Sequence, residues 1–269
     1  MKLSFITLFP ELVRAYFTQG LVSQSLKSNQ FDVTIVNPRD FAQDKHKTVD
    51  DTPYGGGDGM LLKFEPLQKA VTQILPHGAK EGDGVEVIYL SPQGTPWNDQ
   101  LARSFAQTKK HLVFVCGRYA GVDQRFINEH VTSEVSVGDY VLNGGELAAL
   151  VIAESVMRLS PNFMGNSDST HNDSFANGLL EGPTFTKPQT INGKDVPAVF
   201  LSGNHPVITE VRKALSIVLT AQKRPDLFET WQKSNSIGSK DSKQTIAKAL
   251  ELLRSHMSTN EMQECGIKL

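Results

Sequence analysis

Apolar residues along the first 160 positions switch between short continuous runs and a helical spacing. "LSFITLF" (3–9) reads as a buried strand, whereas residues 11–27 carry Leu12, Val13, Tyr16, Leu21, Val22 and Leu26 at roughly helical intervals. The switch recurs. "DVTIVNP" is a short strand stopped by Pro38, a helix is expected near 66–75, "VEVIYLS" (85–91) is a strand, "WNDQLARSFAQ" a helix and "HLVFVCG" (111–117) the clearest strand. "GELAALVIAESVMRLSP" then predicts a helix running to about Arg158, ahead of Pro161. Such alternation predicts an α/β domain with a mostly parallel sheet over residues 1–161.

Residues 162–186 break the pattern. They are rich in Asn, Ser, Asp and Gly without sustained periodicity, which suits a flexible linker. Beyond them, "NHPVITEVRKALSIVLTAQKRPDLFETW" and "SKQTIAKALELLRSHM" read as helices, so residues 187–269 are expected to form a small, mainly helical domain. No internal repeat or long low-complexity tract occurs.

Composition refines this only slightly. The chain has 269 residues and a formal net charge of -2, so bulk charge does not announce a nucleic-acid partner and any such binding must rely on local patches. Cys116 and Cys265 are far apart and follow no metal spacing; both read as free thiols of a reducing compartment, and a cytoplasmic location is expected. The apolar N-terminus is short and interrupted by Pro10 and Glu11, which favours a first strand over a signal peptide. No run is long enough to cross a bilayer.

In α/β sheets, ligands sit outside the carboxyl ends of strands. Three glycine-bearing turns occur at such ends: "LSPQG" (90–94), "CGRYAG" (116–121) and "VGDYVLNGG" (137–145). None matches GxGxxG or GxxxxGK[ST], so neither a dinucleotide nor a P-loop reading has direct support. The third turn mixes bare backbone with Val, Tyr and Leu, which suits a nucleobase read at its edge and held at its faces. A fourth cluster, "DDTPYGGGDGM" (50–60), reads as a mobile surface loop or as a lid. Arg158 ends an apolar helix, a favourable place for a cation near the helix dipole. Asp173 lies in the polar linker, where an aspartate is commonly a turn residue or an N-cap. His46, His171 and His205 are scattered, and no pair has metal-ligand spacing.

The order of the motifs adds what no single one carries. "ITLFPEL", "NPRDF…TVDDTPYGGGDGM", "YLSPQG", "CGRYAGVDQR", "VGDYVLNGGELAAL", "DSFANGLLEGPTFTKP", "VPAVFLSGNH" and "RPDLF" follow one another. The string closely resembles the bacterial tRNA (guanine-N1)-methyltransferases that modify the guanine just 3′ of the anticodon, members of the knotted SPOUT class. The resemblance runs from about residue 3 to about residue 230. It implies a deep trefoil knot in the parallel sheet and S-adenosylmethionine held in a bent shape by the three turns. Cofactor contacts would then fall on Leu90, Ser91, Pro92 and Gly94, on Gly117 and Tyr119, and on Val137, Gly138, Asp139, Tyr140, Val141, Leu142, Gly144 and Gly145. It further implies a homodimer with a composite site, the cofactor loops coming from one subunit and the linker and small domain from the other. The family's catalytic aspartate, in a "DSF" motif, falls on Asp173, and its catalytic arginine, at the end of the post-knot helix, falls on Arg158. RNA contacts would involve Gly56, Gly57 and Ser174. With so small a net charge, phosphates must meet local clusters such as Lys187, Arg212, Lys213, Lys223 and Arg224.

The chain departs from the family at several points. Ala120 stands where Gly-Arg-Tyr-Glu-Gly has its glutamate, an acid tied to the family's magnesium dependence. Two outcomes follow: a nearby carboxylate such as Asp139 or Glu146 compensates, or the chain works with little metal help; the second is expected, because no acid has been added beside Ala120 in sequence. No residue is assigned as a metal ligand. Glu181 replaces a usual Asp, Asn177 stands where an acid is common, and Asp58 replaces a usual proline. The alternatives are a SPOUT methyltransferase acting on another RNA position, and a cofactor- or RNA-binding homologue without catalysis.

Overall fold

The computed structural model describes residues 1–78, 83–161, 163–164, 170 and 173–268. The chain divides into two compact units, Met1–Asn166 and Ser167–Leu269.

In the first unit the strands are β1 (Lys2–Ile6), β2 (Asp32–Val36), the two-residue β3 (Asp50–Asp51) and β4 (Leu61–Leu62), β5 (Val85–Pro96), β6 (His111–Val115) and β7 (Ser133–Ser136). The helices are α1 (Pro10–Tyr16), α2 (Gly20–Lys27), α3 (Phe64–Ile74), α4 (Asp99–Thr108), α5 (Gln124–His130) and α6 (Glu146–Arg158). Five strands form one parallel sheet in the order β2-β1-β6-β5-β7. Successive side chains point to opposite faces. Leu3, Phe5, Ile88, Leu90, Leu112 and Phe114 join one core with Ile152 and Val156 of α6. Ile6, Val87, Tyr89, Val113 and Val115 join the other with Leu67 of α3 and Phe126 of α5. Burial on both faces is why these strands read as continuous apolar runs rather than as alternation.

Two local expectations are corrected. The single helix expected over 11–27 is two, because Phe17 turns into the core and Gly20 takes a left-handed backbone (φ +60°) that resets the chain direction. The turn expected at 90–94 is an excursion within one long strand. Leu90 and Thr95 both lie opposite Val135, so residues 91–94 loop out before β5 resumes. A Cβ at Gly94 would stand 2.3 Å from the Val135 backbone nitrogen; only glycine lets the two backbones pass this closely.

The second unit contains the hairpin β8 (Thr190–Ile191) and β9 (Lys194–Asp195), then α7 (Ala198–Leu201), α8 (His205–Lys223), α9 (Pro225–Ser234), α10 (Ser239–His256) and α11 (Thr259–Glu264). Its core holds Leu215, Val218, Phe228, Leu253, Met262 and Ile267. Asn204 caps α8 and Ser258 with Glu261 forms a capping box at α11, each satisfying backbone donors that a helix start leaves open. The end of the expected linker packs here. Leu179 is buried in this core, and the Leu180 N–H donates to Thr220 Oγ1 at 2.9 Å. Residues 162, 165–169 and 171–172 of that segment, His171 among them, lie outside the described residues. No helix among the described residues is long and apolar enough to cross a membrane.

Candidate functional site

Because β5, β6 and β7 are parallel, their carboxyl ends reach the same edge of the sheet, and the segments leaving them meet there. The Gly145 N–H donates to the Gly117 carbonyl at 3.0 Å, and Arg118 pairs with Gly144 as an antiparallel bridge. The second and third turns are thereby zipped together. They enclose, with the first, a cavity of about 350 Å³. Leu90, Ser91, Pro92, Gly117, Tyr119, Val137, Gly138, Tyr140, Val141, Leu142, Gly144 and Gly145 all line it. Gly94 and Asp139 do not. Gly94 serves the β5–β7 crossing, and Asp139 is exposed in a tight turn closed by the Tyr140 N–H on the Gly138 carbonyl at 2.9 Å.

The wall is apolar and open: Tyr140 is 57% exposed and Val141 87%. The lining also includes bare backbone at Gly145, packed tightly from behind. A Cβ at Gly145 would lie 2.9 Å from the Cys116 Cα and 3.3 Å from the Leu90 Cβ. If the cavity holds the cofactor that the motif order implies, Gly145→Val should weaken S-adenosylhomocysteine binding at least about tenfold, the loss that accompanies roughly 1.4 kcal/mol. Calorimetry beside a thermal-unfolding control checks this, and unchanged affinity would remove the loop from the site.

Sequence reasoning misses Arg118, which also lines the cavity. Its guanidinium lies 4.2 Å from the Phe9 ring centroid, donates through Nε to Glu146 Oε1 at 3.2 Å and through Nη1 to the Asn143 carbonyl at 3.3 Å. The Glu146 side chain is 1% exposed, and Thr7 Oγ1 donates to the same Oε1 at 2.7 Å. Oε2 stands 2.9 Å from Arg118 Nη2 but off the N–H direction, an ion pair without a well-directed hydrogen bond. As the first residue of α6, Glu146 also faces the positive end of the helix dipole. Next to this pair, burial first and the Glu146 charge second push the Cys116 thiol well up, so it stays protonated. The only local signals were an arginine inside a glycine turn and a glutamate opening a helix.

The Ala120 N–H donates to the Met60 carbonyl at 2.9 Å, and the Leu62 N–H to the Gly121 carbonyl at 3.0 Å. The foot of the glycine cluster is thus pinned to the cavity rim, while Tyr54, Gly56 and Gly57 are exposed. Among the described residues no group of three or more His, Cys, Asp or Glu is placed to hold a metal ion. Ala120 offers no oxygen ligand from its side chain and Glu146 is engaged by Arg118 and Thr7. Of the two carboxylates that could compensate for Ala120, Glu146 is thus occupied by the Arg118 pair, while Asp139 is exposed.

Arg158 is half-buried at the end of α6, with Nη1 3.7 Å from Met164 Sδ. Asp173 belongs to the second unit, where its carbonyl accepts the Ala176 N–H at 3.2 Å; Ser174 Oγ accepts the Glu181 N–H at 3.0 Å. Among the expected RNA-binding cations, Lys187 and Arg212 line one cavity of this unit. Lys223 and Arg224 lie at the far end of α8, and Arg224 makes two hydrogen bonds to Asp226, at 2.9 and 2.6 Å.

The sequence model of the family described as "tRNA (Guanine-1)-methyltransferase TrmD" matches residues 1–230. A tRNA (guanine-N(1)-)-methyltransferase of Shewanella sediminis is 47% identical over 231 residues, covering 85% of this chain and 93% of that protein. Its counterpart in Pseudoalteromonas translucida is 47% identical over 225 residues, covering 83% of this chain and 86% of that protein. The match spans the parallel sheet, all three turns and the start of the helical unit, and this chain belongs to the tRNA (guanine-1)-methyltransferase family.

Proposed function

We propose that this chain transfers a methyl group from S-adenosylmethionine to N1 of the guanine 3′ of the anticodon, at tRNA position 37. The cavity at the carboxyl ends of β5, β6 and β7 carries the reading. Bare backbone at Gly117, Gly144 and Gly145 lines the cavity together with exposed Tyr140, Val141 and Leu142, which suits the edge and the faces of an adenine. Its volume lies within the roughly 300–1,000 Å³ common for small-molecule sites. When bound, S-adenosylmethionine supplies an electrophilic methyl group. The reading includes a trefoil knot, supported by the close passage of Gly94 against Val135 and by the zipped second and third turns.

Guanine N1 carries a proton at neutral pH and is a poor nucleophile until that proton leaves. Asp173 would accept it as general base. Negative charge then develops toward O6, where the Arg158 guanidinium would stabilise it and hold the base in plane. In this reading the chain acts as a homodimer with a composite site, Arg158 coming from one subunit and Asp173 from the other. Leu147 and Val151, exposed one turn apart on α6, offer a second copy an apolar surface beside exposed Leu12 of α1. The two helices are joined where Tyr16 donates to Glu154.

The deciding experiment is methyl transfer to tRNA transcripts with the target guanine present or replaced by adenine. Incorporation only when the guanine is present, with the methyl mapped to N1, is expected. Equal incorporation into both transcripts, or none into either, would overturn the reading.

A further inference from the structure

The second unit carries a cavity of about 640 Å³ that the proposed chemistry does not use. It is lined by Phe185, Phe200, Leu201 and Gln189, together with Lys187 and Arg212. The Phe185 and Phe200 rings meet with centroids 5.6 Å apart and planes tilted by 37°. The Arg212 guanidinium sits over the Phe200 ring, 5.9 Å from its centroid. Phe185 is 37% exposed and Leu201 51% exposed, so apolar surface remains open although this unit has a core of its own.

The charge pattern narrows the occupant. Among the described residues, two cations line the cavity and no aspartate or glutamate does. An open aromatic face beside unopposed cations matches the platforms on which single-stranded nucleic acid lies, where bases stack and phosphates meet the charges. Gln189 adds a side chain able both to donate to and to accept from a base edge. Arg224, at the end of α8, lacks this setting, since it is paired with Asp226.

We infer that this cavity binds an unpaired nucleobase of the RNA substrate, stacked on Phe185, with an adjoining phosphate on Lys187 and Arg212. This rests on the reading of the chain as a tRNA methyltransferase and adds a base-binding subsite to it.

The test uses the full chain with S-adenosylhomocysteine bound and measures tRNA affinity over a range of salt. Phe185→Leu keeps an apolar side chain but loses the stacking face; affinity is expected to fall about five- to a hundredfold, the scale of one base–aromatic stack. Phe185→Trp should retain wild-type affinity. Arg212→Gln should flatten the slope of log affinity against log salt by about 0.7–0.9, the share of one phosphate contact. None should alter S-adenosylhomocysteine affinity or the thermal midpoint. A folded Phe185→Leu protein that binds tRNA as tightly as wild type refutes the subsite, and this is also the outcome if the occupant is an acidic protein segment. Equal losses in the Leu and Trp variants refute stacking as well. Wild-type methylation of tRNA is measured alongside: an inactive wild type refutes the underlying function, whereas an active wild type with an indifferent Phe185→Leu refutes the subsite alone.

Discussion

Replacing Asp173 by Asn is expected to slow the methyl-transfer step at least about a hundredfold, the usual scale of general-base catalysis, while cofactor affinity stays unchanged. Asparagine keeps the size of the side chain and can still accept hydrogen bonds. It cannot take the proton from guanine N1. The backbone hydrogen bond from the Ala176 N–H to the carbonyl of residue 173 is available to either side chain, and a thermal-unfolding control checks that the fold persists. Single-turnover kinetics with saturating cofactor measure the step directly. A near-normal rate would move the proton to another acceptor, with Glu181 next in line. The proposed composite site extends the experiment. After subunit exchange, a mixture of Arg158→Ala and Asp173→Ala chains should regain partial activity, because heterodimers carry one site with both native groups. No recovery despite demonstrated exchange would count against the composite site.

Glu146→Ala should destabilise the first unit by about 3 kcal/mol, the low end of the cost of removing one partner of a buried ion pair. The low end applies because the Arg118 side chain is 19% exposed and keeps some access to water. Removing the carboxylate strips Arg118 of its counter-charge and Thr7 Oγ1 of its acceptor. Cofactor binding should weaken in parallel, since Arg118 also holds the Asn143 carbonyl in the third turn. Urea unfolding of both proteins gives the number. The double variant Arg118→Met with Glu146→Leu should recover much of the stability, because a buried pair replaced by apolar groups is often close to neutral. A Glu146→Ala protein as stable as wild type would mean that the pair contributes nothing to the fold.

Much of the site was legible because its signals are local. The third turn shows its glycines and its apolar side chains side by side in the sequence, and the residues from Val137 to Gly145, apart from Asp139, line the cavity together. Arg158 and Asp173 were not legible from their surroundings, since an arginine ending a helix and an aspartate in a polar segment have ordinary structural uses. Their assignment rests on motif order. Lys187 and Arg212 were grouped with Lys223 and Arg224 because charge in a sequence carries no position in space. The structure brings Lys187 to Arg212 at one cavity and leaves Lys223 and Arg224 at the far end of α8.

The sequence by itself determined four of the five strands of the main sheet, the places of the second and third glycine turns, and a mostly parallel arrangement; the short β7 at Ser133–Ser136 carries too few apolar residues to be read as a run. Continuous apolar runs report burial on both faces, and helical stretches between them provide the crossovers. Only the tertiary structure decided that β5 resumes after residue 94, that Gly94 belongs to a backbone crossing, and that Arg118 closes on Glu146 beneath the cavity. Periodicity records which face of an element is apolar within a few residues. Which loops meet depends on the strand order β2-β1-β6-β5-β7, and that order is set by packing between residues far apart in the chain.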